Sequence, residues 1–394
     1  MKNNVLNSYN YCTGCGVCSI NCPLDIITIE LNEDGFYSPR IEEDKCIECG
    51  KCQDVCIKFK NEENNLNIGE FYSARSKNKE IIKNCTSGGI AYEISKFLLN
   101  KEYIVIGTKY NYKKDIAETI LVDNFKSLEE LRGSKYIQSY TEKALKKIKN
   151  IIKNNPEQKF LFIGTPCQIY GLEKFLLKNK LRENFILIDL FCHGVPSYLV
   201  WTNYIKEIRR KVKKITEIKF RDKEFGWHNF LFKVRGETEF KELSERNIFY
   251  QYFFDNVLLN KACFKCEVRK TYSSADIRLG DFWGKRYIKN REGISLVLVL
   301  TEKGKKLLKE MEDIEILEKI SFLEGMEKQA TENYQNEKLY DEAIKNLKLY
   351  NDIEKTLKIY RKKFSYTRKL KIYLKRISIY LPENIKIILK NFFQ

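Results

Sequence analysis

C-T-G-C-G-V-C-S-I-N-C-P, residues 12 to 23, spaces its cysteines as C-x2-C-x2-C-x3-C-P. C-I-E-C-G-K-C-Q-D-V-C, residues 46 to 56, repeats that spacing, with Ile57 where the proline would stand. In a doubled run of this kind three close thiolates wrap one [4Fe-4S] cube and the fourth crosses to the other cube. The spacing therefore assigns Cys12, Cys15, Cys18 and Cys56 to one cluster, and Cys46, Cys49, Cys52 and Cys22 to a second. Gly14, Gly16 and Gly50 let the backbone turn tightly and aim amides at the sulfurs. Zinc is the rival reading, but a zinc ribbon uses two C-x-x-C pairs rather than two runs of three plus one.

Between the runs, D-I-I-T-I-E-L-N-E-D-G-F-Y-S-P-R-I reads as a hairpin: an alternating strand, an acidic turn ending at Gly35, and a second short strand. Residues 1–62 are thus expected to form a bacterial-type two-cluster ferredoxin domain. Such a module relays single electrons, so whatever it feeds lies in the rest of the 394 residues.

Apolar content of 43% and aromatic content of 13% exclude global disorder and supply material for one or two further domains. The chain opens with M-K-N-N-V-L-N-S-Y-N-Y, which has no secretory apolar core, and the longest purely apolar run, L-V-L-V-L at 296–300, fits a buried strand. A cytoplasmic protein is expected, in which 13 cysteines read as metal ligands or reactive thiols rather than disulfides. The formal charge of +18 invites a nucleic-acid reading, yet residues 355–394 hold twelve Lys/Arg and a single acid, Glu383. Basicity is mainly a property of the tail, no reading motif accompanies it, and nucleic acid is not expected as a partner.

A polar stretch at 60–70, K-N-E-E-N-N-L-N-I-G-E, has the composition of a linker. From 71 to about 325, helical patterns such as A-Y-E-I-S-K-F-L-L and T-E-K-A-L-K-K-I-K-N-I-I-K alternate with the short apolar runs Y-I-V-I-G, K-F-L-F-I-G and F-I-L-I-D-L-F. The expectation is an α+β, mixed α/β body in two parts, 71–150 and 151–325, followed by a basic helical tail over 326–394. In the tail, Leu370, Tyr373, Leu374, Ile377 and Tyr380 share one helical face, and Pro382 should end that helix.

Four more cysteines sit at expected turns: Cys167 in G-T-P-C-Q, Cys192 in F-C-H-G-V-P-S, and Cys263 and Cys266 in A-C-F-K-C-E. Two singles plus a C-x-x-C complete a four-cysteine ligand set. The residues alone leave open a third [4Fe-4S] cluster, a structural zinc, and buried or redox-active thiols.

Six ordered stretches bear on that choice: C-T-S-G-G-I at 85–90, G-S-K-Y-I-Q-S at 133–139, F-I-G-T-P-C-Q-I at 162–169, F-C-H-G-V-P-S at 191–197, F-R-D-K-E-F-G-W at 220–227 and A-D-I-R-L-G-D-F-W-G at 275–284. In order and content they resemble the coenzyme F420 hydrogenase/dehydrogenase beta-subunit family, preceded here by a ferredoxin module. The resemblance implies an iron-sulfur flavoprotein oxidoreductase with FAD, whose two-electron substrate in family members is coenzyme F420 or a tetrapyrrole-type pigment precursor. It also implies that Cys167, Cys192, Cys263 and Cys266 hold a third cluster beside the flavin.

Within that frame Thr86, Ser87, Gly88 and Gly89 precede a helix whose N-terminus suits a pyrophosphate. The plainer reading is an ordinary helix start with Ser87 as N-cap. Lys135 is expected near the same phosphates and Tyr136 against a ring, or else as a surface lysine and a core tyrosine. Asp281 and Trp283 line the cofactor pocket or simply pack. His193 and His228 are the proton-donor candidates, with loop-fixing histidines as the alternative. Arg221, Lys223 and Trp227 grip an anionic substrate or form a salt-bridged strand end. Cys85 is a substitute ligand or a small buried residue.

The expected partners are an external electron donor or acceptor protein and a small-molecule substrate. The tail reads as a solvated helix, a peripheral membrane contact or a docking arm for an acidic partner. Two rival functions stand beside the enzyme: an electron-transfer subunit serving a separate catalytic partner, and an accessory protein that keeps the fold without flavin chemistry.

Overall fold

The computed structural model describes residues 3–6, 11–59, 69–269, 273–329, 332–378 and 381. Most of the expected linker, together with Tyr380, Pro382 and the apolar terminus, lies outside the described residues.

The expected hairpin is present. Strands β1 (Ile27–Leu31) and β2 (Tyr37–Ile41) pair antiparallel, with Ile27 opposite Ile41 and Leu31 opposite Tyr37. Ile27, Ile29, Phe36 and Tyr37 are buried, so the hairpin is fixed by its apolar side chains as well as by its ladder. Short helices on either side, Val17–Asn21 and Lys51–Asp54, carry Cys18 and Cys52.

The body contributes β3 (Glu70–Ser76), β4 (Ile104–Asn111), β5 (Ile116–Val122), β6 (Ser139–Tyr140), β7 (Phe160–Ile163) and β8 (Phe185–Leu190). It continues with β9 (Glu217–Asp222), β10 (Leu231–Arg235), β11 (Glu239–Leu243), β12 (Ile277–Asp281), β13 (Ser295–Val299) and β14 (Ile314–Ile320). One nine-stranded sheet runs β14-β3-β13-β12-β8-β7-β4-β5-β6, and β11-β10-β9 form a small antiparallel sheet. At the centre of the large sheet, β4, β7, β8 and β12 are parallel neighbours, while β13, β3 and β14 on one side, and β5 on the other, pair antiparallel. The α+β expectation holds, with the three apolar runs as β4, β7 and β8 and L-V-L-V-L in β13 but for Leu300, one residue past its end.

All five residues of β13 are buried, and each fully buried Val or Leu contributes about 1.5–3 kcal/mol. Helices Ile90–Leu99, Glu142–Asn154 and Pro166–Lys178 lay apolar faces on the sheet. The last of these starts in a capping box between Thr165 and Gln168, with Pro166 at its first turn.

Of the segment expected as a basic tail, helices Glu337–Tyr350 and Ile353–Lys362 bury Tyr340, Leu347, Leu357 and Tyr360 in the same core as Trp201 and Phe249. The Tyr340 hydroxyl donates to Asp34 at 2.9 Å, tying this segment back to the ferredoxin hairpin turn. The helix Tyr366–Ser378 follows. Among the described residues no helix is long and apolar enough to cross a membrane.

Candidate functional site

Cys12, Cys15, Cys18 and Cys56 are neighbours in space. Burial pushes the Cys12 thiol up to about 12 and raises Cys15 and Cys18, and the nearby thiols add to each shift. Cys22, Cys46, Cys49 and Cys52 line a separate pocket with Leu24 and Ile47 at its rim. Cys56 thus stands with the first run and Cys22 with the second. The Gly14 amide donates to Cys12 Sγ at 3.3 Å. A side chain on Gly14, whose φ is +69°, would collide with Gln138 and the Tyr37 carbonyl, so this turn accepts only glycine.

In the body the sheet brings together cysteines that are far apart in sequence. Strands β7 and β8 lie parallel, with Ile163 opposite Ile188, and their C-terminal ends deliver Cys167 and Cys192 to one edge. Loop 194–197 then meets 258–260: Pro196 bridges Leu259, and the Asn260 amide donates to the Val195 carbonyl at 2.9 Å. This contact seats the helix Lys261–Phe264, which carries Cys263, against Cys192. Burial raises Cys167 and Cys192, holds Cys263 at about 12, and the thiols of all four cysteines act on one another.

Cys167 also acts on Cys12 and Cys15, so the body set adjoins the inner ferredoxin set. The helix Pro166–Lys178 makes that approach possible, because Gly171 lies against Val17 and the Val55 carbonyl. Among the described residues no three His, Cys, Asp or Glu side chains converge closely enough to share one metal ion. A cube spreads its four ligands wider than a single tetrahedral ion does.

Beside the body set lies Arg269, 2% exposed. It donates to the His193 carbonyl at 3.0 Å, to Asn333 Oδ1 at 3.1 Å and to the Glu332 carbonyl at 3.3 Å, while its buried Nε has no acceptor. Among the described residues no carboxylate pairs with it. By contrast, Arg278 of β12 makes two 2.7 Å bonds to Asp189 of β8 and a third, of 3.2 Å, to the Val268 carbonyl. Sequence reasoning passed over Arg269, Arg278 and Asp189. The available signals were an arginine three residues past the C-x-x-C, a lone acid in the apolar strand β8 and an arginine between apolar residues in β12.

The loop Cys85–Gly89 packs over the β3 and β13 ends. Ser87 Oγ donates to the Ile294 carbonyl at 2.8 Å and the Gly88 amide to Ser295 Oγ at 3.0 Å. Ser87 is therefore not the cap of the helix Ile90–Leu99. Gly89 holds that position in a left-handed conformation, and no side chain caps the helix. Thr86 Oγ1 accepts from the Ser134 amide at 2.9 Å, which draws in the loop carrying Lys135.

Lys135 donates to the carbonyls of Glu130, Leu131 and Arg132 at 3.2, 3.0 and 2.9 Å, and Lys223 to those of Ile82 and Ser87 at 2.6 Å each. Burial lowers their ammonium groups to about 7 and about 8 respectively. Cys85, raised by burial to about 11, feels the Arg132 and Lys223 charges.

Arg221, with a side chain 1% exposed, pairs with Asp281 at 2.6 Å, and Trp227 Nε1 donates to the other Asp281 oxygen at 2.7 Å. Of the two readings for Arg221 and Trp227, the geometry is that of a salt-bridged strand end. Trp283 stacks between Trp227 and Phe230, at ring distances of 5.7 and 5.9 Å. Tyr136 lies among Phe220, Phe230, Tyr250 and Phe253.

His193 has both ring nitrogens engaged, Nε2 with Asn256 Oδ1 at 2.6 Å and Nδ1 with the Tyr334 hydroxyl at 2.9 Å, and burial lowers it to about 4. His228 meets the Tyr287 carbonyl at 3.1 Å and packs on Trp227. A run of rings, His193, Phe254, Phe230, Trp283 and His228, joins the two histidines in steps of 5.4 to 6.2 Å.

Residues 71–146 match the N-terminal family model of the coenzyme F420 hydrogenase/dehydrogenase beta subunit, and residues 157–322 match the C-terminal model of the same protein. The two segments together take in more than half of the chain. Residues 11–59 match a 4Fe-4S dicluster domain.

Among curated proteins, the coenzyme F420-dependent sulfite reductase of Methanocaldococcus jannaschii is 26% identical over 353 residues, 81% of this chain and 50% of that protein. One component of the Na(+)-translocating ferredoxin:NAD(+) oxidoreductase complex of Acetobacterium woodii is 45% identical over 47 residues, 12% of this chain and 13% of that component. The chain spans at most half the length of these relatives. Among solved structures, a chain of the F420-reducing [NiFe] hydrogenase complex from Methanosarcina barkeri aligns with a TM-score of 0.47 at 19% identity, covering 68% of this chain and 92% of that one.

Proposed function

We propose, from the premise that the chain belongs to the coenzyme F420 hydrogenase/dehydrogenase beta-subunit family, that it is an iron-sulfur flavoprotein oxidoreductase. It passes electrons between a one-electron carrier protein, three [4Fe-4S] clusters, FAD and a two-electron substrate, coenzyme F420 or another reducible small molecule. The 4Fe-4S dicluster match makes iron-sulfur electron transfer the firm part of this reading, and the third cluster and the flavin are its extension.

The observation that carries the third cluster is Arg269. A buried guanidinium without a carboxylate is costly, and the groups beside it that become anionic on binding a cluster are the body thiols: Arg269 acts on both Cys192 and Cys263. Cys167, Cys192, Cys263 and Cys266 are the ligands we assign. Zinc would equally ionise thiols, and iron content separates the two.

The flavin assignment rests on the uncapped start of the helix Ile90–Leu99, the loop Thr86–Gly89, and the cations Lys135, Lys223 and Arg221, whose buried Nε has no acceptor. These residues fit a pyrophosphate, and Trp283 and Tyr136 with their ring neighbours fit a flat ring system. Asp281 holds Arg221 in place. A bound flavin accepts electrons singly and delivers them in pairs. His228 is the residue we assign to proton supply, and His193, enclosed and neutral, positions the Cys192 loop.

A second reading, an electron-transfer subunit serving a separate catalytic partner, is favoured by the dicluster module at residues 11–59, which relays single electrons. Turnover by the isolated chain with a reduced artificial donor eliminates that reading. Anaerobic reconstitution tests the first: about twelve irons and one FAD per chain are expected, and about eight irons would remove the body cluster.

A further inference from the structure

The helix Tyr366–Ser378 differs from the two helices before it in leaving its apolar face exposed. Its polar contacts with the rest of the chain are made by Arg368, which donates to Asn336 Oδ1 at 3.0 Å and to the Asp255 carbonyl at 2.6 Å, by Arg376, which donates to Gln251 Oε1 at 2.6 Å, and by Lys369, which donates to the Lys362 carbonyl at 2.7 Å. Ile372, on the same side at i+4, packs against the core. The apolar face points away: Tyr366, Leu370, Tyr373 and Ile377 are 79%, 42%, 61% and 37% exposed. At about 100° per residue these four share one stripe, with Lys369 about 70° from its centre on one side and Lys371 about 130° from it on the other. The helix carries Arg368, Lys369, Lys371, Lys375 and Arg376 and has no acidic residue.

We propose that this face is a docking surface for an anionic lipid bilayer, lying in the interface plane and holding the redox body against the membrane. An apolar stripe with tyrosines and flanking lysines suits the headgroup boundary, where lysine stems lie along the acyl surface and their ammonium groups reach the phosphates. The stripe is convex and unbroken by acids, so it complements a flat negative surface better than it complements a groove. Polar arginine contacts on the opposite side keep the helix attached to the body while the apolar side stays open.

The test is co-sedimentation of the anaerobically purified full chain, clusters intact, with phosphatidylglycerol/phosphatidylcholine vesicles or phosphatidylcholine alone. Binding to the anionic vesicles is expected, with at least about tenfold loss in high salt and in Leu370→Glu/Tyr373→Glu. Lys371→Gln should weaken it severalfold, with cluster absorbance unchanged in both variants.

Equal binding to both vesicle types, or undiminished binding of the Glu variant, overturns the proposal. So does binding that appears only after deletion of residues 382–394, which would make those residues the cover. A dimer or acidic-protein complex that Tyr373→Glu dissolves, without any vesicle binding, assigns the face to a protein and overturns it as well.

Discussion

The counter-ion role proposed for Arg269 should change the sign of its effect with the charge beside it. In protein stripped of iron the body thiols are held neutral by burial, as with Cys263 at about 12, and among the described residues the guanidinium has no carboxylate to balance. Arg269→Met should then leave stability unchanged or raise it by up to about 2 kcal/mol. With the proposed body cluster in place, the same change removes the cation that acts on Cys192 and Cys263. It should cost about 1–3 kcal/mol and move the reduction potential of the body cluster downwards. Anaerobic urea unfolding of both forms, with EPR-monitored titration of the loaded one, reads this. A shift of the same sign in both forms would falsify the counter-ion role. At this scale the sequence was partly legible: the cysteines announced themselves by spacing, whereas Arg269 is one of many basic residues until its burial is known. Ser87 shows the opposite error, a good N-cap residue type whose hydroxyl is instead held by the Ile294 carbonyl.

Parallel pairing of β7 and β8 is what turns Cys167 and Cys192 into neighbours, and sequence patterns do not report it. Apolar runs mark strands because burial on both faces demands them, yet the order β12-β8-β7-β4 depends on crossovers that leave no local trace. The burial of residues 337–364 was hidden for a related reason, since their high lysine content masks the apolar faces of two helices until their partner, the Trp201 core, is in place. Asp189 of β8 and Arg278 of β12 hold the central pair, with side chains 0% and 1% exposed. Arg278 also holds the Val268 carbonyl and so fixes the loop that follows Cys266. Asp189→Ala strands a buried guanidinium and should destabilise by about 3–5 kcal/mol, whereas Asp189→Leu with Arg278→Met should recover most of that loss. Urea unfolding of the single and double variants decides it, and a double variant as unstable as Asp189→Ala would mean that the pair's geometry, rather than its charge balance, holds the strands.

Across the whole molecule the thiol sets fall in sequence. Cys49 is exposed and its set faces solvent, Cys52 acts on Cys18 of the inner set, and the inner set meets Cys167 of the body. From Cys192 and His193 the ring series runs to Trp283, beside the Asp281 and Arg221 pair that neighbours Lys223 and the loop at Ser87. Each set thus adjoins the next between the surface and the proposed flavin, which gives the body set a testable role as the obligatory middle step. Cys263→Ser should leave the two ferredoxin clusters intact and reducible by a one-electron donor, because neither ferredoxin cysteine set includes Cys263. Iron should fall by about four atoms of twelve, and flavin reduction through the clusters should slow by orders of magnitude while direct chemical reduction of the flavin is unchanged. Stopped-flow absorbance with both reductants separates these steps. Undiminished cluster-to-flavin transfer in the variant would mean that electrons bypass the body cysteines, and the adjacency of the thiol sets would then be a consequence of packing alone.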